Sequence, residues 1–117
     1  MTGVEWLIEG FGCAQSRLQD PATLAALFDT IVSGMKLRPV GAPLWHKFPT
    51  GGGVTGIWLL QESHLTIHTF PEYRSVCLNV FCCTARPTMA WPELLKTQLD
   101  AAETRVRECA RAYGAAE

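Results

Sequence analysis

Two runs of alternating side chains, Ser63–Phe70 and Val76–Cys83, constrain this chain more than any other feature. Successive side chains of a strand point to opposite faces of a sheet. In the first run Leu65 and Ile67 point one way, and His64, Thr66 and His68 the other. In the second, Val76, Leu78, Val80 and Cys82 share one face, while Cys77, Asn79, Phe81 and Cys83 share the opposite one. Each run offers one aliphatic face to bury and one face of histidine, cysteine and amide groups. The segment between them, from Pro71 to Ser75, is too short for a parallel crossover, so the runs read as antiparallel neighbours.

Further strands are read at Val4–Phe11, within Val40–Phe48 and at Gly56–Gln61, with a turn from Pro49 to Gly53. Asp20-Pro21 is a helix start, an acid at the N-cap followed by proline at the first helical position. Leu24, Leu27, Phe28, Ile31, Val32 and Met35 recur at helical spacing and stop before Pro39. Pro87 breaks the chain, and a second helix is read through Leu94, Leu95, Leu99, Ala102, Val106 and Cys109. The tail Gly114–Glu117 is expected to fray. The order is β-α-β-β-β-β-α. It predicts an α+β domain, an antiparallel sheet with both helices on one face. The aliphatic faces belong to the helices, which leaves His68 and Cys83 on the bare face. A second copy is expected to cover that face, giving a two-fold dimer as an αββα sandwich with a site in the seam.

The length of 117 residues bounds this to one domain, residues 1–117. A formal net charge of -1 and the lack of a basic run speak against nucleic acid as a partner. Apolar stretches fall short of a membrane span, and the first residues lack a basic-then-apolar leader, so no membrane partner and a cytoplasmic location are expected. The five cysteines, Cys13, Cys77, Cys82, Cys83 and Cys109, are odd in number and irregular in spacing, unlike a secreted disulfide framework. No Cys-x-x-Cys pair is present, so no metal is expected.

The run Gln61-Glu62-Ser63-His64-Leu65-Thr66-Ile67-His68-Thr69-Phe70-Pro71-Glu72 follows Gly51-Gly52-Gly53-Val54-Thr55-Gly56 and precedes Cys82-Cys83. A Glu-Ser bond alone is an ordinary strand junction. The whole set resembles the self-processing site of the small prokaryotic S-adenosylmethionine decarboxylases, usually GVSG…ESHLTIHTWPE…DVFTCG. The resemblance covers nearly the whole chain and is strongest from Gly51 to Cys83. It implies cleavage between Glu62 and Ser63 into 1–62 and 63–117, with Ser63 converted to a pyruvoyl cofactor. It further implies a decarboxylase of polyamine biosynthesis, in which the pyruvoyl ketone takes the substrate amine as a Schiff base and accepts electrons as carbon dioxide leaves.

The resemblance also implies roles for single residues. Thr55, where the family carries serine, would supply a hydroxyl for processing, and His68 the base. Cys83 matches the family's proton donor, and an ordinary thiol is mostly protonated at neutral pH. Cys82 is one residue away, but face parity places Cys83 with His68. Phe48 matches an aromatic that stacks on adenine, Glu72 an acid that holds ribose hydroxyls, and Glu9 an acid on the first strand near the substrate. Trp45 and His46, beside Phe48, receive no role. The chain departs from the family pattern at Val4-Glu5 for Arg-His, Phe70 for tryptophan, Asn79 for aspartate, Thr84 for glycine, and Arg74-Ser75 within the segment after Glu72. The substrate implied is a cationic α-amino acid. S-adenosylmethionine is the family default, with ornithine or arginine as alternatives on the same fold. A non-processing regulatory relative is the other reading.

Overall fold

The computed structural model describes residues 1–114 and builds them around one antiparallel sheet of six strands. In chain order the elements are β1 (Thr2–Phe11), α1 (Gln15–Leu18), α2 (Pro21–Gly34), β2 (Leu44–Lys47), β3 (Val54–Leu60), β4 (Ser63–Phe70), β5 (Ser75–Cys82), α3 (Trp91–Leu99) and β6 (Glu103–Ala112). The strands lie in the order β2-β3-β4-β5-β1-β6. A single 3-10 turn, Pro71–Tyr73, joins β4 to β5, and Arg74 closes it with φ at 52°.

The aliphatic faces meet the helices, as the alternation requires. Leu65, Ile67, Val76, Leu78, Val80 and Cys82 are buried against Leu24, Leu27, Phe28 and Ile31 of α2 and Leu95 and Leu99 of α3 in one core. Burying each such aliphatic side chain is worth about 1.5–3 kcal/mol, which is what holds the helices to this face. α2 begins as its sequence dictates. The Ala22 N–H donates to Asp20 Oδ1 at 3.1 Å and the Thr23 hydroxyl to Oδ2 at 2.8 Å. Thr69, the one buried polar residue among those described, donates its hydroxyl to Leu18 O at 2.8 Å and accepts the Val54 N–H at 2.9 Å. It thereby fastens α1 to the sheet.

Three features differ from the sequence expectation. The second helix does not run to Cys109: it stops at Leu99, and Glu103–Ala112 forms β6 against β1. Asp100 makes the break, adopting the left-handed conformation with φ at 61°. α1 is a further short helical turn. Gly114 is not frayed, because its N–H donates to Met1 O at 3.2 Å; residues 115–117 of that predicted tail lie outside the described residues.

Candidate active site

The Glu62–Ser63 bond sits at the β3–β4 hairpin. Leu60 pairs with Ser63, so Gln61 and Glu62 form a two-residue turn. Neither turn residue has positive φ, so this is not one of the primed turns that hairpins favour. The Glu62 carbonyl oxygen accepts the Cys83 N–H at 3.1 Å. Ser63 pairs with Cys82 across β5, shares the face of Leu65 and Ile67, and is half-buried at the strand's start. The junction is therefore held on both sides, by the ladder and by the residue just after β5.

The two adjacent cysteines have different surroundings. Cys82 is 1% exposed and lies in the core, where burial pushes its thiol up despite the opposing field of Arg86. Cys83 is half-buried and has the parity of the bare face. Its carbonyl accepts the Tyr113 hydroxyl at 2.9 Å, so the end of β6 steadies the residue that donates to Glu62. Gly3 stands against this segment, and a Cβ there would lie 2.6 Å from Cys82 O.

A second group gathers at the other end of β4. Thr55 pairs with His68, and its hydroxyl oxygen lies 3.2 Å from His68 Nδ1. The row continues across the sheet, with His68 beside Cys77, Cys77 beside Glu9 and Glu9 beside Arg105. Burial and then the Glu9 charge push the Cys77 thiol up. Glu9 is ion-paired with Arg107 at 3.3 Å. Phe48 and Glu72 flank the glycine turn that leads into β3: a Cβ at Gly53 would lie 3.6 Å from the Phe48 ring, and one at Gly51 3.6 Å from Glu72 Oε2. Phe48 is 48% exposed, and His46 meets its ring edge-on with centroids 4.9 Å apart. Trp45 packs 4.7 Å from the Phe28 ring and lies over Gly56, where a Cβ would come within 2.2 Å of it. The glycine after Thr55 is thus required by a tryptophan that holds β2 and β3 to α2.

The candidate residues fall into two clusters within one chain. Glu62, Ser63 and Cys83 meet at one end of the sheet; Thr55, His68, Glu9, Phe48 and Glu72 lie toward the other. Five residues of strand separate Ser63 from His68, roughly 17 Å at 3.3 Å per residue. Between the clusters on the bare face runs a polar chain. His64 Nε2 lies 2.8 Å from Asn79 Oδ1, Asn79 Nδ2 donates to Glu5 Oε2 at 2.7 Å, and Glu5 pairs with Arg111. The Asn79 bond, with the Arg111 pairing, holds the Glu5 carboxyl below its usual range against the opposing effect of burial. Two departures from the family pattern, Glu5 and Asn79, thus touch one another.

Three residues at the junction were not legible in the sequence. Tyr113 reaches it from the end of β6, while Arg38 and Arg86 line the depression around Glu62 and Ser63. They come from segments far apart in the chain and belong to no motif.

The fold and site define a class: a half-sandwich α+β enzyme domain, with helices on one face of an antiparallel sheet and its polar chemistry on the other face and at the sheet's ends. The family model described as S-adenosylmethionine decarboxylase matches residues 4–112. The S-adenosylmethionine decarboxylase proenzyme 2 of Halalkalibacterium halodurans is 32% identical over 112 residues, 92% of this chain and 84% of that one. The S-adenosylmethionine decarboxylase proenzyme of Prochlorococcus marinus is 36% identical over 107 residues, 86% of this chain and 80% of that one. The crystal structure of the adenosylmethionine decarboxylase from Aquifex aeolicus shares the fold, with a TM-score of 0.80 at 23% identity over 98% of this chain and 94% of that one. This chain belongs to the S-adenosylmethionine decarboxylase family, a family of pyruvoyl-dependent decarboxylases.

Proposed function

We propose that this chain cleaves itself between Glu62 and Ser63, carries a pyruvoyl group made from Ser63, and decarboxylates S-adenosylmethionine in polyamine biosynthesis. The observation that carries the reading is the 3.1 Å bond from the Cys83 N–H to the carbonyl oxygen of Glu62. That carbonyl is the one a Ser63 hydroxyl must attack, and the donor is aimed at the oxygen that gains charge when it does. Attack breaks the Glu62–Ser63 amide and forms an ester through Ser63 Oγ. A base then takes the Ser63 Cα proton, the Cβ–O bond breaks, and Glu62 leaves as a carboxylate with the bonding electrons. The resulting enamine tautomerises, takes up water and loses ammonia.

His68 is the base in this reading, oriented by its bond to Thr55. It lies roughly 17 Å along the strand from its own Ser63, far beyond the ~3 Å reach of proton transfer. The base must therefore come from a second copy, with the bare faces of two sheets packed about a two-fold axis. Each site then takes Glu62, Ser63 and Cys83 from one protomer and Thr55, His68, Phe48 and Glu72 from its partner.

The pyruvoyl ketone, once formed, supplies the electron sink that decarboxylation of an α-amino acid needs. Cys83 holds the proton returned to the substrate's α-carbon. Phe48 offers its exposed ring to adenine, and Glu72, which has no ion pair among the described residues, offers a carboxylate to the ribose hydroxyls. Ornithine or arginine would instead need an acid for a distal cation. Glu5 and Glu9 are already engaged by Arg111 and Arg107, which leaves Glu72 of the three candidate acids; the exposed Phe48 ring is what favours S-adenosylmethionine. The test is carbon dioxide release from S-adenosylmethionine, ornithine and arginine at matched concentration, with Ser63→Ala as the blank. Release from S-adenosylmethionine is expected. Release only from ornithine or arginine overturns the substrate, and release from none by a chain that also stays uncut makes it a non-processing relative.

A further inference from the structure

We infer that Arg38 and Arg86 form a carboxylate clamp that receives Glu62 as it leaves, which makes them positioning residues for the elimination step of self-processing. The inference rests on the self-cleavage proposed above and names what drives its second half.

The junction lies in a depression that Arg38, Glu62, Ser63, Cys83, Thr84 and Arg86 help to line. Two backbone segments wall it. One is tied to the hairpin: the Gln61 N–H donates to Arg38 O at 2.9 Å, the Val40 N–H donates to Leu59 O at 2.9 Å, and Pro39 bridges Leu60. The other follows β5, where Arg86 Nη1 donates to Lys36 O at 3.3 Å and so spans from one wall to the other. Arg38 carries no side-chain hydrogen bond or ion pair among the described residues, so its guanidinium is uncommitted.

Charge counting gives these residues a purpose. Among the residues lining the depression are two cations, Arg38 and Arg86, and one acid, Glu62. With the chain intact the site is one positive charge in excess. The ester formed by Ser63 attack is itself uncharged but frees the Ser63 α-amine, which adds to that positive excess when protonated. Elimination then breaks the Cβ–O bond and puts the electron pair on the Glu62 α-carboxylate. That new charge makes two anions against two cations. The clamp is complementary to the state after elimination rather than to the intact chain, so it favours the step that forms the carboxylate. A guanidinium fork matches a carboxylate in a planar, two-point geometry that an ammonium does not offer. The same contact would keep the new C-terminus at Glu62 seated after the cut.

The experiment uses the full chain with Arg38→Gln, Arg86→Gln and the double substitution. Processing is followed by intact mass, with hydroxylamine added to capture the ester as a 1–62 hydroxamate and a fragment beginning with Ser63. The double variant should still form ester but convert it to the pyruvoyl fragment at least about tenfold more slowly. Trapped ester should therefore accumulate. Lysines at both positions, which keep the charge, should restore part of the rate. On the unmutated chain, conversion of the ester should slow as salt rises, since these charges are partly exposed and screened. Wild-type conversion by the double variant without trapped ester, or salt-independent conversion in the unmutated chain, overturns the clamp. An unmutated chain that yields neither trapped ester nor a pyruvoyl fragment overturns the self-cleavage reading instead.

Discussion

Mixing two inactive chains should restore processing if each site is shared. Ser63→Ala lacks the attacking oxygen, and His68→Ala lacks the base. Neither lesion can be repaired within its own chain, because the strand holds positions 63 and 68 roughly 17 Å apart. In a mixed dimer the two lesions fall in the same site, and the other site pairs an intact Ser63 with an intact His68. Random assortment of equal amounts makes about half of all dimers mixed, with one working site in each. About half of the Ser63-bearing chains, or a quarter of all chains, should then be cleaved. The two chains are unfolded together, refolded and run on a denaturing gel with intact-mass analysis. Each variant refolded alone is the control. Mixed dimers verified by a tag on one chain, with no cleavage, would refute the division of the site between copies. Sedimentation of the wild type as a monomer would refute it as well.

Four further outcomes follow from particular contacts. Cys83→Ala should be cleaved at Glu62–Ser63 yet turn over poorly, since the substitution keeps the backbone N–H that holds the Glu62 carbonyl and removes only the thiol. Cys82→Ala should keep turnover and lose about 1 kcal/mol of stability from the core, and the reverse pattern would assign the proton donor to Cys82. Gly56→Ala should cost about 1–3 kcal/mol in a denaturant melt, because its Cβ would come within 2.2 Å of the Trp45 ring. Glu5 has its carboxyl lowered by Asn79 and Arg111, so its contribution to stability is complete above the ordinary glutamate pKa of about 4.3 and is lost as pH falls through the lower folded value. Glu5→Gln should flatten stability against pH in that acid window; an unchanged slope would show the network to be energetically idle.

The sheet's layout was legible because burial on one face writes a period of two into β4 and β5. The same rule explains the miss at β6. Glu103–Ala112 is an edge strand whose outer residues are arginines and glutamates, and those residues with alanine are also good helix formers. Val106 and Cys109 sit at a helical spacing that extended the pattern of α3 past its end. No glycine or proline marks the break, because Asp100 takes the left-handed conformation itself. The alternation of Arg105, Arg107, Cys109 and Arg111 was the available signal for a strand. In the site, Ser63, His68 and Cys83 stood out through a contiguous motif. Arg38, Arg86 and Tyr113 did not, since only the folded chain brings the α2–β2 connection, the segment after β5 and the end of β6 to one junction.

Conversion of Ser63 by the chain itself can be read from the intact mass of purified wild-type protein. Two fragments are expected: residues 1–62 ending in a free carboxylate at Glu62, and residues 63–117 lighter than a serine-headed fragment by one ammonia. Ser63→Ala should give a single uncut chain. A wild-type chain that stays whole after long incubation, or a second fragment that keeps an ordinary serine at its head, would contradict the claim.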